Sequence, residues 1–536
     1  MERPTRVIAA LAALALPAAA QIQLVQKTPA EIGTSMMLEV TDATPSATIL
    51  LLGSVTFGST PPTLGMSKPL PGGPGIFHTT LGTTNAFGTL TAGVPLPPST
   101  GLLGRVLPMR AVDLGAFSDE DALSNRLAAW IGPHPVSISP APETSGQFGW
   151  SVAIGDFVGT SALDVAVGAL ETVAGAPAAG RVRVYAGPGF TSVTTLTSPA
   201  PSSGGRFGWS LAALDWDGDG TTDLAVGEPG KDGLFPFTDI GAVHVFAHPV
   251  GSGGSSTFTD PTPVTYEQMG YSLAAGAIDA SPSDELVAGA SFNGISDTAD
   301  APASILVLAY SGGPATITEV SEPTPEGGGF GDCVALGDVD GDGFDEILVG
   351  EPDHDEPGAS DCGAVHLFDG GALVLTLLDD APAMGDRLGA SVAIGDLNGD
   401  GLGDLLVGVF GENQAQLYAA PAFSAASPTL LTRAHPADLH GGRAVAVGDV
   451  NGDGKLDALV AFGSCEVPGF GVVCGSVTAY LGKNLKATAY VADSEILPRS
   501  LAVGDFDGDG RDEIAVGSPD ASPLFLPSAG AFLLSE

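Results

Sequence analysis

Five nine-residue segments, called here the acidic loops, repeat one pattern of side chains. Acidic or amide side chains occupy positions 1, 3, 5 and 9 of each loop, and glycine occupies position 6. These side chains are Asp215, Asp217, Asp219, Asp223; Asp338, Asp340, Asp342, Glu346; Asp396, Asn398, Asp400, Asp404; Asp449, Asn451, Asp453, Asp457; and Asp505, Asp507, Asp509, Glu513. With a backbone carbonyl at position 7, such a set suits Ca2+, which accepts about six to eight oxygen ligands in flexible geometry. The pattern predicts about five bound Ca2+ ions, one in each loop.

An EF-hand interpretation of the acidic loops fails at position 12. An EF-hand needs a glutamate there and flanking helices, whereas the chain has Val226, Val407 and Val460 within strand-like runs. Asp-x-Asx-Gly is also ordinary turn chemistry. In plain turns, however, like charges about 4 Å apart would repel by about 1 kcal/mol in water and about 4 kcal/mol at an effective dielectric of about 20. The crowding of carboxylates therefore favours cation binding.

Two further turns have lost the pattern. The first begins at Asp156, has Val158 at position 3 and retains Asp164 at position 9. The second begins, in this interpretation, at Asp279 and is two residues short. Its D-x-S-x-S string is also found in the metal site of adhesion-type α/β domains, but its place among the other turns predicts a degenerate member of the same repeat.

All seven turns belong to one internal repeat whose first positions are spaced by 53 to 64 residues. Each repeat alternates apolar and polar residues with the period of two expected for strands, and Gly and Pro interrupt it. Residues 207–214, 223–227 and 241–246 read as three strands, and a fourth run precedes the next repeat. Four antiparallel strands per repeat predict a blade of a β-propeller. The expected fold is therefore all-β, with a seven-bladed propeller over residues 134–536.

The ends of the repeat array predict how the propeller closes. The last repeat stops after its third strand at residues 529–534, and residues 135–139 form an extra strand before the first repeat. We expect strand 135–139 to complete the last blade, because this arrangement leaves no exposed sheet edge where the ring closes.

Phe-Gly pairs at 148–149, 207–208 and 330–331, together with the acidic loops and Val-Gly-Glu-Pro at 226–229 and 349–352, resemble FG-GAP repeats. This repeat forms the N-terminal propeller of integrin α subunits and recurs in secreted bacterial proteins. The resemblance covers residues 134–536. It implies a seven-bladed propeller with calcium in the loops between the first two strands, clustered on one face.

The chain departs from the FG-GAP pattern in several places besides the two degenerate turns. The last two repeats have Gly441-Gly442 and Leu497-Pro498 in place of Phe-Gly. Position 9 is glutamate at Glu346 and Glu513. In those two loops the preceding residue, Asp345 or Asp512, is an alternative ligand.

The N-terminal part of the chain differs in character from the repeats. Residues 1–20 contain two arginines, a short apolar run and Ala18-Ala19-Ala20, which predict a cleaved signal peptide. The apolar run is about half the length of a membrane span, so we expect no integral membrane segment after signal removal. Residues 21–131 lack acidic loops, and their apolar alternation predicts a small β-sandwich-like domain.

Export would place the chain in an oxidising compartment, secreted, extracellular or on the cell surface. There its four cysteines can form disulfides. Cys465 and Cys474 bracket one loop and are the better pair, whereas the pairing of Cys333 and Cys362 stays open.

Charge and motifs exclude several functional classes. The chain has 62 acidic and 19 basic residues and a net charge of −43, which excludes a nucleic-acid-binding surface. It contains neither HExxH nor GxSxG. His244 and His366 occupy equivalent third-strand positions, which favours packing over catalysis. His354 lies among acidic residues and reads as part of a solvated turn.

Two classes of function remain open at the level of sequence. The first is a noncatalytic binding or adhesion scaffold for an unknown protein or glycan ligand. The alternative is a secreted carbohydrate- or ester-active enzyme that uses the propeller as a substrate cradle. The sequence favours binding over catalysis, because its acidic residues are concentrated in structural loops.

Overall fold

The computed structural model describes most of the chain from residue 147 to residue 534. The gaps are 161, 188–189, 191, 235–237, 292–302, 311, 324–327, 424–427, 433–437, 467–472, 483–484, 492–497, 507, 509 and 520–529. Side chains of residues 438–440, 464–466, 473–475, 486–491 and 530–534 are also outside the description. Before residue 147 only the backbone of eight strands is described. The predicted signal peptide, residues 1–20, therefore lies outside the described residues.

The chain divides into two compact units, Met1–His134 and Pro135–Ser535. The first unit contains seven strands: β1 (Gln23–Gln26), β2 (Ser35–Thr41), β3 (Thr48–Val55), β4 (Gly75–Thr83), β5 (Leu90–Pro95), β6 (Val106–Asp113) and β7 (Leu127–Trp130). They form two antiparallel sheets, with strand orders β1-β2-β5 and β4-β3-β6-β7. The face-to-face packing expected of a sandwich stays a prediction.

The second unit is a β-propeller, which confirms the all-β, propeller part of the predicted fold. Six of its blades are each built from four consecutive strands in sequential order. Helical structure among the described residues includes the 3-10 turn Phe410–Glu412, and no helix there is long and apolar enough to cross a bilayer.

The first three blades contain strands of four to eight residues. Blade 1 consists of β9 (Phe148–Gly155), β10 (Asp164–Ala169), β11 (Arg181–Ala186) and β12 (Ser192–Leu196). Blade 2 consists of β13 (Leu211–Leu214), β14 (Asp223–Gly227), β15 (Val243–Phe246) and β16 (Ser255–Phe258). Blade 3 consists of β17 (Met269–Gly276), β18 (Glu285–Ala290), β19 (Ser304–Ala309) and β20 (Thr316–Ser321).

The next three blades repeat this plan. Blade 4 consists of β21 (Cys333–Gly337), β22 (Glu346–Glu351), β23 (Ala364–Asp369) and β24 (Ala372–Leu377). Blade 5 consists of β25 (Leu388–Gly395), β26 (Asp404–Val409), β27 (Gln414–Tyr418) and β28 (Thr429–Thr432). Blade 6 consists of β29 (Asp438–Gly448), β30 (Asp457–Glu466), β31 (Val473–Leu481) and β32 (Lys486–Val491).

One further sheet, called here the closing sheet, joins the two ends of this unit. It consists of β33 (Ser500–Gly504), β34 (Glu513–Ser518), β35 (Gly530–Leu534) and β8 (Val136–Ile138), in that order. Strands β35 and β8 are antiparallel, with Phe532 opposite Ser137. Strand β33 contacts both β29 of blade 6 and β9 of blade 1.

The core explains why each strand has its composition. The second strands, such as β10 and β22, are buried along their whole length, so they are almost entirely aliphatic after their first residue. The fourth strands are largely exposed; β20 alternates Thr, Ile, Glu and Val with only its apolar positions partly covered. First strands of successive blades contact one another and form an inner ring. This gradient of burial from second to fourth strand is the reason for the repeated apolar-to-polar sequence pattern.

Adjacent blades are joined by hydrogen bonds to the glycine that stands at the second position of the Phe-Gly signature, whichever residue precedes it. Ser151 Oγ donates to the carbonyl of Gly208 in the next blade at 2.8 Å, and equivalent bonds run from Ser210, Ser272 and Ser391. Cys333 occupies the same position, and its Sγ donates to the Gly389 carbonyl at 2.9 Å. Cys333 and Cys362 are free thiols. Cysteine in blade 4 thus takes the place of the serine found in blades 1, 2, 3 and 5.

Cys465 and Cys474 are cross-strand partners on β30 and β31. Their side chains lie outside the described residues, so the disulfide that the sequence indicates stays a prediction.

Removal of the β8 segment should damage the closing sheet selectively. Deleting residues 135–139 removes β8 and leaves the outer edge of β35 unpaired, although β34 still covers its other edge. We expect the protein to aggregate, because an unpaired apolar edge templates association. Deleting residues 21–129 is the control and should leave solubility unchanged. Size-exclusion chromatography of the two truncations measures the difference, and equal monomer yields would contradict the role given to β8.

Candidate metal centre

Each acidic loop connects the first and second strands of its blade, and its first aspartate shapes the turn. In blade 2, Asp215 Oδ1 accepts the N–H of Asp219 at 3.1 Å and Oδ2 accepts the N–H of Gly220 at 2.9 Å. Asp338, Asp396, Asp449 and Asp505 likewise accept the N–H of the position-6 glycine. Gly218 and Gly220 have φ values of +73° and +83°, which β-carbon-bearing residues rarely adopt. The glycines therefore allow the chain to wrap around the first carboxylate.

The position-9 carboxylate lies at the start of the second strand and is buried. Asp223 Oδ2 accepts the N–H of Trp216 at 3.1 Å, and its Oδ1 accepts the N–H of His248 at 2.7 Å. His248 belongs to the connection between the third and fourth strands. Asp404 makes the same two kinds of bond, to Leu397 and Ala420. One buried carboxylate thus joins the two turns that lie on this face of the blade.

Three carboxylates converge in each of blades 2 and 4. Single oxygens of Asp215, Asp217 and Asp223 lie within 4.8 Å of one another, and so do those of Asp338, Asp340 and Glu346. In both groups position 1 is half-buried, position 3 is exposed and position 9 is buried. Three carboxylates open to solvent on one side form a donor set that fits a hard divalent cation.

In blades 2, 4, 5 and 6, the aspartate at position 5 of the loop accepts hydrogen bonds from the residue two positions later. Asp219 accepts bonds from the N–H and the hydroxyl of Thr221, which lower its pKa. Asp342, Asp400 and Asp453 each accept the N–H two residues later, at 2.9, 3.0 and 3.1 Å. These side chains are exposed, and the second oxygen of each carboxylate is available to coordinate a cation in the same loop.

Blades 5 and 6 carry asparagine at position 3. Asn398 Nδ2 donates to Asp404 Oδ1 at 2.9 Å, and Asn451 Nδ2 donates to Asp457 Oδ2 at 2.9 Å. The amide nitrogen therefore satisfies the buried carboxylate. To serve as ligands, these amides must turn so that Oδ1 faces the loop interior.

The loop of the closing sheet is described in part. Asp505 and Glu513 occupy positions 1 and 9, and Phe506 N–H donates to Glu513 Oε2 at 2.8 Å. Asp507 and Asp509 lie outside the described residues.

Burial perturbs the position-9 carboxylates. It raises the pKa of Asp223, and the charges of Asp217 and Asp219 act in the same direction. Burial also raises the pKa of Glu346 to about 7 and that of Asp457 to about 6, and neighbouring aspartates again add to the effect. A carboxylate with a raised pKa costs folding free energy when it is charged at neutral pH. A cation in the loop would offset that cost.

The structure corrects the register of the third turn. Gly276 pairs with Glu285 just as Gly337 pairs with Glu346 in blade 4, so position 1 is Ala277 and position 9 is Glu285. The prediction that the turn begins at Asp279 and is two residues short was wrong, because Asp279 is position 3 of a full-length turn. Ser281 Oγ donates to Glu285 Oε1 at 2.9 Å. The similarity of Glu285-Leu286-Val287 to the start of β22 could have revealed this register.

In the two loops with glutamate at position 9, the aspartate that precedes it bonds to the neighbouring blade. Asp345 Oδ2 accepts the N–H of Ala277 at 3.0 Å, and Asp512 Oδ2 accepts the N–H of Asp449 at 2.7 Å. Both acceptors therefore bond to the preceding blade. In blade 4, Glu346 converges with Asp338 and Asp340. The alternative of Asp345 or Asp512 as a ligand stays a prediction.

The first turn keeps the position-9 bonds although it lacks the metal-binding pattern. Asp164 is fully buried, and its two oxygens accept the N–H groups of Val158 and Gly187, each at 2.9 Å. The buried carboxylate is therefore part of the blade architecture independently of any ion.

The three histidines singled out in the sequence are buried and hydrogen-bonded. His244 Nε2 lies 2.8 Å from Glu228 Oε2 and its Nδ1 lies 2.9 Å from Thr257 Oγ1. His366 has the same contacts with Glu351 and Thr376, at 2.7 and 3.0 Å. His354 is only 7% exposed, and its Nδ1 lies 3.1 Å from Glu351 Oε1. The prediction of a solvated turn at His354 was wrong, because the Glu351 carboxylate holds the imidazole inside.

An aromatic cluster that sequence reasoning missed lies at the opposite end of the first strands. The ring centroids of Trp150 and Trp209 are 4.5 Å apart, and those of Trp209 and Tyr271 are 5.2 Å apart. The guanidinium of Arg499 lies 3.7 Å from the centroid of Trp150. Each of these residues comes directly after the two-residue Phe-Gly position of its repeat. This shared position in the repeat was the feature of the sequence from which the cluster could have been predicted.

Comparison with known families matches the propeller to a repeat family. The FG-GAP repeat model matches residues 207–246, 330–368 and 497–533, and the FG-GAP-like repeat model matches residues 396–460. The predicted resemblance is confirmed.

Curated relatives include integrin α chains. Integrin alpha-V of Gallus gallus is 26% identical over 336 residues, which is 59% of this chain and 25% of that protein. Integrin alpha-3 of Cricetulus griseus is 35% identical over 21% of this chain and 11% of that protein. A phosphatidylinositol-glycan-specific phospholipase D of Bos taurus is 30% identical over 28% of this chain and 20% of that protein. The chain thus spans a quarter or less of these relatives, and it is an FG-GAP, integrin-α-like protein.

Substitution of Asp164 separates the architectural role of position 9 from cation binding. Asp164→Ala leaves the Val158 and Gly187 N–H groups without their acceptor, and we expect a loss of about 1–3 kcal/mol in the free energy of unfolding. Because turn 1 lacks the ligand pattern, the loss should be equal in calcium and in EDTA. Urea unfolding in the two buffers measures it. Asp223→Ala is the matched variant and should lose more unfolding free energy in calcium than in EDTA. A loss for Asp223→Ala that is the same in the two buffers, as for Asp164→Ala, would contradict this division of roles.

Proposed function

We propose that this FG-GAP repeat protein acts outside the cell as a noncatalytic binding or adhesion scaffold whose propeller is stabilised by Ca2+. The observation that carries the proposal is the convergence of Asp215, Asp217 and Asp223 within 4.8 Å, which is repeated in blade 4. The similarity to integrin α chains supports a binding role for the propeller. Secretion rests on the signal peptide that the sequence of residues 1–20 predicts.

The proposed ions number about five, one for each acidic loop. Positions 1, 3, 5 and 9 would supply the side-chain ligands. Each donor is an oxygen, and the loops combine exposed and buried carboxylates in a flexible turn. Ca2+ suits such a site better than Mg2+, which requires near-ideal octahedral geometry and retains several waters.

We further propose that the closing sheet is the seventh blade of a complete ring. Its strand β33 contacts blades 6 and 1. A side chain at Gly517 would meet the Gly149 carbonyl of blade 1 at 2.4 Å, which is the same close approach that Gly168 makes to Gly208 between blades 1 and 2. The small β-sandwich proposed for residues 21–131 would precede this ring.

The ligand site is proposed on the face opposite the acidic loops. Connections between second and third strands lie there, and those at residues 228–240 and 351–362 are long. Long loops on a rigid framework are where recognition residues concentrate. The cluster of Trp150, Trp209, Tyr271 and Arg499 lies toward the same end and offers aromatic and cationic groups, which are enriched in binding sites. We propose a protein or glycan as the ligand.

A catalytic role is the second candidate, favoured by the partial match to a phosphatidylinositol-glycan-specific phospholipase D. Under this alternative the propeller would cradle the substrate of a carbohydrate- or ester-active enzyme. Assays of the secreted chain on polysaccharide and ester substrates separate the two candidates. Turnover that survives purification to homogeneity would overturn the noncatalytic proposal.

Removal of calcium should lower the stability of the propeller. Ligand linkage contributes about 2.7 kcal/mol per site when calcium is at about a hundredfold excess over its dissociation constant. We therefore expect EDTA to lower the melting temperature measured by calorimetry, and added calcium to restore it. Asp219→Ala should reduce the calcium-dependent part of the shift, whereas Thr160→Ala, at position 5 of turn 1, should not. An identical melt with and without EDTA would contradict the proposal.

Shortening the long connections should remove ligand binding without affecting the calcium response. We expect replacement of residues 229–239 and 352–361 by tight turns to abolish binding to whichever protein or glycan is identified by array screening. The calcium-dependent shift in melting temperature should persist, because the acidic loops lie at the other end of the strands. Retained binding would place the ligand elsewhere.

A further inference from the structure

Adjacent blades exchange a reciprocal pair of hydrogen bonds beside the acidic loops. In blade 3, the residue at position 8 is Asp284. Its Oδ2 accepts the N–H of Asp215 in blade 2 at 2.8 Å, and its own N–H donates to the Asp215 carbonyl at 2.9 Å. Both backbone polar groups of the position-1 residue are thereby held by the next blade.

The same reciprocal pair occurs at two other joints. Asp345 of blade 4 bonds to Ala277 at 3.0 and 2.8 Å, and Asp512 of the closing sheet bonds to Asp449 at 2.7 and 2.9 Å. At the joint between blades 4 and 5 position 8 is Gly403, which keeps only the backbone bond, from its N–H to the Asp338 carbonyl at 2.8 Å. The glycine shows that the backbone bond between blades can form without the side-chain bond from a position-8 carboxylate.

Asp215 is the residue on which the blade 2 acidic loop is organised. Its two oxygens accept the N–H groups of Asp219 and Gly220, and one of them belongs to the convergent group with Asp217 and Asp223. A shift of its backbone would move the carboxylate relative to the other two. Groups held in place before binding lose less conformational freedom when the ion binds.

We infer that Asp284 is a positioning residue for the cation site of blade 2, so that each blade with aspartate at position 8 prepares the loop of the blade before it. This inference rests on the proposed calcium binding. Asp284 would act through its hydrogen bond to the Asp215 N–H and not as a ligand. By the same geometry, Asp512 would prepare the blade 6 loop, whereas Asp345 holds Ala277, which has no carboxylate to position.

Trp216 makes the blade 2 site separately measurable. It occupies position 2 of the loop, it is 6% exposed, and its backbone N–H donates to Asp223 Oδ2. Tb3+ takes oxygen ligands as Ca2+ does and luminesces when a nearby indole is excited. Titration of the full mature chain with Tb3+, with tryptophan excitation, therefore reports on this site. Trp216→Phe should remove the signal and so assign it.

The decisive comparison is between Asp284→Ala and Asp345→Ala. Loss of one hydrogen bond to a charged acceptor should weaken the Trp216-sensitised Tb3+ affinity about five- to tenfold in Asp284→Ala. Asp345→Ala removes an equivalent bond at a turn without a position-1 carboxylate, and we expect its isotherm to match the wild type. Asp284→Asn keeps an oxygen acceptor and should recover most of the affinity. Asp284→Gly copies the natural Gly403 joint and serves as the second variant if the alanine form does not fold.

The outcomes separate the inference from the proposed function. A wild-type chain without saturable Trp216-sensitised luminescence would overturn calcium binding at this loop, and the inference with it. Saturable binding that is unchanged in both Asp284→Ala and Asp284→Gly would overturn only the positioning role. If Asp345→Ala weakened Tb3+ affinity as much as Asp284→Ala, the cause would be a general loosening of this face. If Asp284→Asn weakened it as much as Asp284→Ala, the cause would be the lost charge. Either result would overturn the inference.

Discussion

The architecture of each blade depends on a buried carboxylate at the start of its second strand. Asp223 and Asp404 join the turn between the first two strands to the turn between the last two, through backbone N–H donors on both. Burial of a charged group is costly unless it is hydrogen-bonded or paired with opposite charge. The carboxylate is retained even in turn 1, where Val158 and Thr160 replace the acidic residues of positions 3 and 5. The acidic loops thus place further carboxylates around a position-9 carboxylate that the fold already requires.

This constraint explains how a metal site and a structural joint share one turn. The position-1 aspartate organises the turn through its own backbone neighbours, and position 9 connects it to the rest of the blade. Between them, an exposed carboxylate at position 3 completes a convergent set in blades 2 and 4. The crowding that raises the pKa of the buried carboxylates is the same crowding that a divalent cation would relieve. Architecture and proposed cation binding therefore depend on the same residues.

The two ends of the strands differ in chemistry. At one end lie the acidic loops and their reciprocal bonds between blades. At the other end, Glu228 and Glu351 bind buried histidines, and Trp150, Trp209 and Arg499 form an aromatic and cationic cluster. In the described residues, His244 and His366 use both ring nitrogens within hydrogen-bonded networks. This division is consistent with a stabilised face and a recognition face on one propeller.

The sequence alone determined the β-propeller, the repeat and the positions of the acidic loops, because strand alternation, turn glycines and ligand spacing are local properties. Tertiary structure decided which residues meet across blades. Asp284 and Asp215 are 69 positions apart and Asp345 and Ala277 are 68 apart, so no local pattern predicts their pairing. The register of the third turn, with Ala277 at position 1, followed only from strand pairing. The burial of His354 and the contact of Trp150 with Trp209 likewise depend on packing between distant segments, which local sequence patterns do not encode.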